Sequence, residues 1–155
     1  MTRVAILAAA YPAINNAGSV LSLSDSLLLQ SSTGCAMSVL DQGTDGIINA
    51  DGVTAIGTSG TSYGICASSI NAAPRQAVAN VTNSILRGFV NDRGAFSSST
   101  GTGTINVTYS DFNPATDIVA GTGTTVLSPA AGTLGATNVN VDPLFTGGGD
   151  YSLSA

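Results

Sequence analysis

Apolar and polar residues alternate along several short stretches of this chain, and one such stretch returns at intervals. The clearest copies are 20–29 (VLSLSDSLLL), 78–87 (VANVTNSILR) and 105–112 (INVTYSDF). Aligned on Leu23, Val81 and Val107, each copy runs on to a serine, Ser26, Ser84 or Ser110, and apolar side chains resume at Leu28, Leu86 and Phe112. The anchors lie 58 and 26 residues apart, and 58 is close to two periods of 26 to 29. Residues 52–57 supply part of the intervening unit, and 138–145 lie about one period further on. Alternation with a period of two marks a half-buried strand, and the polar step at the serine breaks it. A period in the twenties is too short for a βαβ unit and suits one turn of a solenoid, whose coils are stable only when stacked. The pattern therefore predicts short parallel strands, about 4.8 Å apart from coil to coil, making roughly five to six coils. Leu23, Val81, Ile85, Val107, Val139 and Val141 are expected to face inward. The glycine- and threonine-rich runs 95–104 and 121–135 have no strong period and are expected to loop out of the stack.

Composition agrees with an all-β chain. Of 155 residues, 43% are apolar and 8% are charged, against roughly 25% charged in ordinary soluble domains. Lys, Glu, His and Trp are absent, and the charges are four Arg and nine Asp. Thr, Val and Ile favour strands, while Gly, Asn, Asp and Ser favour turns. The net charge of −5, with Arg3, Arg75, Arg87 and Arg93 scattered, argues against nucleic acid and against anionic membrane surfaces. No apolar run approaches the roughly 18–20 residues of a membrane span. The start, one basic residue followed by apolar Val4 to Ala10, fits a first strand better than a signal peptide, because no clear small-residue cleavage site follows. Cys35 and Cys66 allow one disulfide, and two buried thiols fit equally well.

The segments ANVTNSILR (79–87), VTYSD (107–111) and VDPLFTGGGDYSL (141–153), in this order, resemble the last coils of pectate-lyase-like right-handed parallel β-helix proteins. The resemblance covers residues 78 to 153, about half the chain. It implies an all-β, right-handed single-stranded parallel β-helix, with residues 1–155 forming a single segment. Without an N-terminal capping helix, and ending soon after the DYSL motif, the chain reads as a segment of a longer protein. The resemblance specifies no activity, since this fold carries lyases, hydrolases and adhesins alike.

Lyases of this fold combine an acidic Ca²⁺ site with an Arg or Lys base; with no Lys, the base is limited to Arg75, Arg87 or Arg93. Asp92 and Arg93, in the run NDRG, are adjacent and therefore point to opposite sides of a strand, and the glycine suggests a solvated turn instead. Hydrolases of the fold use an Asp-Asp pair and a Gly-His-Gly motif, neither of which is present. Asp111 and Asp142 occupy near-equivalent positions, but Asp142 precedes Pro143 and reads as a turn residue. Asp41 to Gly52 resembles a calcium loop with acids at its first and fifth positions. Gly43 and Gly52 replace two of its ligands, which favours β-turns. Thr100–Thr104 and Thr122–Thr124 suggest ice-binding Thr ladders, yet most coils lack the motif and flexible loops fit better. Asn80 and Asn106 head glycosylation sequons inside predicted strands and are read as chance.

No catalytic, cofactor or metal residue is assigned. The expectation is a non-catalytic segment of a secreted or surface protein, serving as scaffold, adhesin or glycan-binding surface. The alternative is part of a polysaccharide lyase or glycoside hydrolase with its site wholly or partly elsewhere. A polysaccharide or cell-surface glycan is the expected partner. Unpaired strand edges at open ends predict marginal stability, end-to-end self-association or fraying of residues 1–18 and 146–155.

Overall fold

The structure, a computed structural model, describes residues 5–8, 12–58, 63–71, 74–98, 100–147 and 150–153. The chain winds as a stack of coils, three strands to a coil. The first holds β1 (Ala5–Ala8), β2 (Ile14–Ala17) and β3 (Val20–Ser24), and the second β4 (Leu27–Gln30), β5 (Cys35–Leu40) and β6 (Gly46–Asp51). The third holds β7 (Thr54–Gly57), β8 (Tyr63–Ser69) and β9 (Gln76–Thr82), and the fourth β10 (Ile85–Arg87), β11 (Asn91–Ser97) and β12 (Thr102–Thr108). A 3₁₀ turn at Pro114–Thr116 leads to β13 (Ile118–Gly121) and β14 (Thr124–Ser128). Each strand pairs in parallel with its equivalent one coil away, giving sheet A (β1-β4-β7-β10), sheet B (β2-β5-β8-β11-β13) and sheet C (β3-β6-β9-β12-β14).

The result is an all-β parallel solenoid of about four turns, where five to six were expected. The repeat that the sequence displays is the register of sheet C, where Leu23, Ala50, Val81 and Val107 stack in one column. Ala50 lies 27 residues after Leu23 and 31 before Val81, so the 58-residue gap is two coils of unequal length. After Ser128 no further strand joins the three sheets among the described residues, and Val139 makes only an isolated parallel bridge to Asp111. Its final strands, β15 (Phe145–Gly147) and β16 (Asp150–Leu153), form an antiparallel pair apart from the parallel sheets.

The core is a narrow aliphatic column. Leu28, Ala55 and Leu86 face in from sheet A, Met37, Val39, Ile65, Ala67 and Ala95 from sheet B, and Ile48, Ala79, Val81, Ile105 and Val107 from sheet C. Phe112 lies over this column, with Leu127 and the half-buried Leu134. Leu23 packs against the core half-buried, and Val81 and Val107 face inward as expected. The expectation fails for Ile85, Val139 and Val141. Ser84 turns inward at its corner, so Ile85 takes the outward place and Leu86 the inward one. One coil on, Asn138 takes the inward place, leaving Val139 47% and Val141 56% exposed.

The glycine-rich runs also depart from expectation. Residues 91–97 and 102–108 are strands rather than loops. Gly103 is buried, and a Cβ there would collide with the carbonyl oxygens of Phe96 and Ala67. Alternating glycine thus lets β12 run close beside sheet B while the threonines face out. Residues 124–128 likewise form a strand.

Sheets C and A meet at a repeated corner. Asp25, Gly52, Asn83 and Tyr109 each adopt a positive φ of 47°, 68°, 50° and 51°. In the serine-bearing coils the next residue bonds back to the carbonyl two positions earlier, from Ser26 Oγ to Ser24, Ser84 Oγ to Thr82 and Ser110 Oγ to Thr108. Two of these hydroxyls also accept from the coil beneath: Val53 N donates to Ser84 Oγ at 3.1 Å and Ser84 N to Ser110 Oγ at 3.0 Å. Asn138 Oδ1 ends the series by accepting from Ser110 N at 2.9 Å.

Cys35 and Cys66 are disulfide-bonded, with Cα atoms 5.9 Å apart, and link β5 to β8 across adjacent coils. The first-strand reading of the N-terminus holds for Ala5–Ala8; residues 1–4 and 9–11 lie outside those described. Fraying of 1–18 and 146–155 concerns a region that also lies partly outside them.

The bridge closes a 31-residue separation, for which chain-entropy arguments give about 3–4 kcal/mol of stabilisation. The double variant Cys35→Ser/Cys66→Ser should lose about that much in urea denaturation while keeping its β-type circular dichroism. An unchanged midpoint would show that the bridge does not constrain the unfolded chain.

Candidate functional site

Arginine is scarce here, and two of the four residues are drawn into the stack. Arg93 lies on β11 in register with Ile65 and Met37, so strand alternation points it into the core. It is fully buried and reaches Asp117, just before β13, with Nε to Oδ1 at 2.8 Å and Nη2 to Oδ2. Its Nη1 donates to the Pro129 carbonyl at 3.0 Å, and its guanidinium lies over the Phe112 ring at 4.2 Å. Asp117 Oδ2 also accepts from Gly132 N at 3.1 Å. This ion pair therefore joins three separate segments at the far end of the described stack.

Asp92 takes the opposite face of β11 and is covered as well, at 2% exposure. Its Oδ2 accepts from Asn113 N at 2.6 Å, and its own N–H donates to Thr116 Oγ1 at 3.2 Å. Burial pushes its carboxyl up to about 6; the Asn113 N–H and Arg87 oppose the rise, while Asp117 and Asp111 add to it. The solvated turn expected at Asp92 and Arg93 is thus overturned. Both sit in a strand and are enclosed by residues 112–132, a segment whose return over β11 no local motif announces.

Arg87, at the end of β10, forks onto Asp111, Nε to Oδ2 at 3.2 Å and Nη2 to Oδ1. It also donates to Asn140 Oδ1 and to the Val141 carbonyl, each at 2.6 Å, while Val141 N donates to Asp111 Oδ1 at 3.1 Å. Asp111 is therefore joined to an arginine rather than to Asp142. Asp142 accepts from Leu144 N at 3.0 Å and is exposed, the turn residue expected of it.

The calcium-like loop separates in the same way. Asp41 accepts from Ser69 Oγ at 2.6 Å, Ile70 N at 2.8 Å and Asn71 Nδ2 at 3.2 Å. Burial alone would raise this carboxyl, but those bonds outweigh it and hold it below the usual range. Asp45 Oδ1 accepts from Gln76 N at 2.9 Å, and residues 46–51 are strand β6. The two acids bind backbone of the next coil at different points instead of converging. Among the described residues no group of three His, Cys, Asp or Glu could hold a metal ion.

The most regular open surface is the outer face of sheet C, where strand alternation sets side chains in straight columns. One column is Val20, Ile47, Val78, Thr104 and Val126; the next is Ser22, Asn49, Asn80, Asn106 and Ser128; the third is Ser24, Asp51, Thr82 and Thr108. The amides bond along their column, Asn80 Nδ2 to Asn49 Oδ1 and Asn106 Nδ2 to Asn80 Oδ1, both at 2.9 Å. Asn83 Nδ2 donates to Asp51 Oδ1 at 2.9 Å beside them. A groove of about 560 Å³ lies on β3, β6 and β9 beside Asn83. The sequons at Asn80 and Asn106 do lie within strands, β9 and β12.

Sequence reasoning missed the partner of Arg93, the amide ladder and Tyr109. The ladder had a signal, since Asn80 and Asn106 already aligned in the repeat; Asp117 had none. Comparison with protein-family models, with characterised proteins and with solved structures finds no match to this chain. Fold and side chains define it as a parallel β-solenoid protein whose internal charges join coils and whose regular outer face is uncharged but for Asp51.

Removing one member of a buried ion pair strands the other, at about 3–5 kcal/mol. Arg93→Leu should lower unfolding free energy by that amount in urea titration, and a loss under 1 kcal/mol would contradict the anchoring role. Asp92 behaves differently. Its folded value near 6 exceeds the ordinary 3.8, so the folded state holds a proton that the unfolded chain has released between these values. Its contribution is full below about pH 4 and lost as pH rises through 6. Asp92→Asn, which retains an acceptor for Asn113 N–H, should therefore stabilise the protein at pH 7 by about 2–3 kcal/mol and flatten stability between pH 4 and 6. Destabilisation at pH 7 would reverse the sign of this argument.

Proposed function

We propose that this chain is a non-catalytic segment of a secreted or surface protein, a right-handed parallel β-helix serving as a rigid scaffold, adhesin or glycan-binding surface. The observation that carries the reading is where the charged groups go. Arg87 and Arg93 each fork onto a carboxylate and hold a chain segment against the stack, and Asp41 and Asp92 bond backbone N–H groups of neighbouring turns. Groups so engaged and enclosed serve structure, whereas the broad open face carries hydroxyls, amides and aliphatic side chains. Right-handedness rests on the motif series shared with pectate-lyase-like proteins. The disulfide supports an oxidising, extracellular setting. Strands β1, β2 and β3 each pair on one side only among the described residues, which supports end-to-end self-association as a partner mode.

Incubation with pectate, alginate and neutral polysaccharides should release neither unsaturated nor new reducing ends. Release that disappears in Asp92→Asn would overturn the scaffold reading in favour of a lyase or glycoside hydrolase.

A further inference from the structure

The outer face of sheet C is regular and open, and its chemistry limits what it could hold. We propose that it binds a neutral, hydroxyl-rich polysaccharide lying along the stack, with Tyr109 as the aromatic platform at one end; this rests on the glycan-binding reading above and gives it a site.

Three observations converge. The first is the amide ladder. An Asn side chain has two N–H donors and two acceptor lone pairs. Asn80 uses one N–H toward Asn49 and one lone pair toward Asn106, which fixes the orientation of its amide. One donor and one acceptor remain, held in a set direction on a sheet whose strands repeat about every 4.8 Å. Sugar hydroxyls both donate and accept, and so match such a row. Its order exists before binding, so less conformational entropy is lost on association.

The second is Tyr109. The three equivalent corner positions carry Asp25, Gly52 and Asn83, residue types that tolerate a positive φ. Tyr109 holds φ 51° with a bulky side chain and is 64% exposed. A turn alone has no need of an aromatic there, and strained exposed residues gather at functional positions. The corner lies one coil beyond Asn83, which itself lines the groove. An exposed ring can cover the apolar C–H face of a sugar while its hydroxyl stays in water.

The third is charge. The groove lining includes the carboxylate of Asp51 and no cation, and the chain carries a net −5. Polyuronates and sulfated glycans would be repelled. Aliphatic Val20, Ile47 and Val78 flank the amides and suit the less polar faces of neutral sugars.

The test is native affinity electrophoresis of the full chain through gels containing mixed-linkage glucan, galactomannan or polygalacturonate. At least one neutral polymer should retard the wild type, and polygalacturonate should not. Asn80→Ala and Tyr109→Asn should each weaken retardation about fivefold or more, and Val90→Ala, on another face, should leave it unchanged. Tyr109→Asn also relieves the backbone strain, so its melting temperature should equal or exceed that of the wild type. Weaker binding by a more stable protein is an outcome that a purely structural Tyr109 does not give. The proposal falls if no neutral polymer retards the wild type, if Tyr109→Asn binds as well, or if only polygalacturonate binds. Those failures would leave the scaffold intact as a reading, which only cleavage of a polymer removes.

Discussion

Everything in this solenoid depends on the corner between sheets C and A being made the same way in successive coils. A positive-φ residue reverses the chain sharply, and the side chain after it supplies a hydrogen bond that backbone geometry leaves open. Where that residue is serine, one hydroxyl satisfies its own strand's carbonyl and an N–H of the neighbouring coil together. Buried backbone groups must find partners, and this arrangement finds them without widening the core. The aliphatic columns follow, because a fixed corner fixes the phase of alternation on the strands either side of it. Ile85 shows the rule at work. Its hydrophobicity would take it inward, but the corner one residue earlier assigns it the outer face.

The far end of the described stack combines apolar cover with one buried ion pair. A stack that stops adding strands still has a core cross-section to cover, and residues 112–134 cover it with Phe112 and Leu134. Arg93 enters from a position that aliphatic residues hold in the coils beneath. Its guanidinium can serve there because Asp117, the Pro129 carbonyl and the Phe112 ring satisfy it together. An aliphatic residue would cover the column equally well but would not choose which turn docks on it.

How much of this was legible in the sequence follows from the range of each interaction. The repeat around Leu23, Val81 and Val107, the serine step and the strand character were readable because they are local and recur. Inward and outward faces were readable along sheet C but not past the corner. Ile85 after Ser84 and Val139 after Asn138 each follow an inward polar residue, and both were assigned to the wrong face. Gly103 shows another limit: a glycine needed for close passage of strands looks in sequence like one needed for a loop. Arg93 and Asp117 are 24 residues apart, joined by a coil length that varies, so no spacing rule pairs them. Cys35 and Cys66 lie 31 residues apart, slightly more than one period, yet bridge and free thiols remained equal readings until the coils were stacked.

The disulfide also has a mechanical meaning. A solenoid drawn from its ends yields by peeling, each coil releasing its length once the ladder above it parts. The bond between Cys35 and Cys66 ties the second coil to the third, so peeling that reaches it cannot pay out the enclosed segment. Those 31 residues would otherwise contribute roughly 100 Å of extended chain. Under tension the protein would therefore lengthen in two separate portions either side of an inextensible knot, and the amide-bearing strands β6 and β9 lie at that knot and just beyond it.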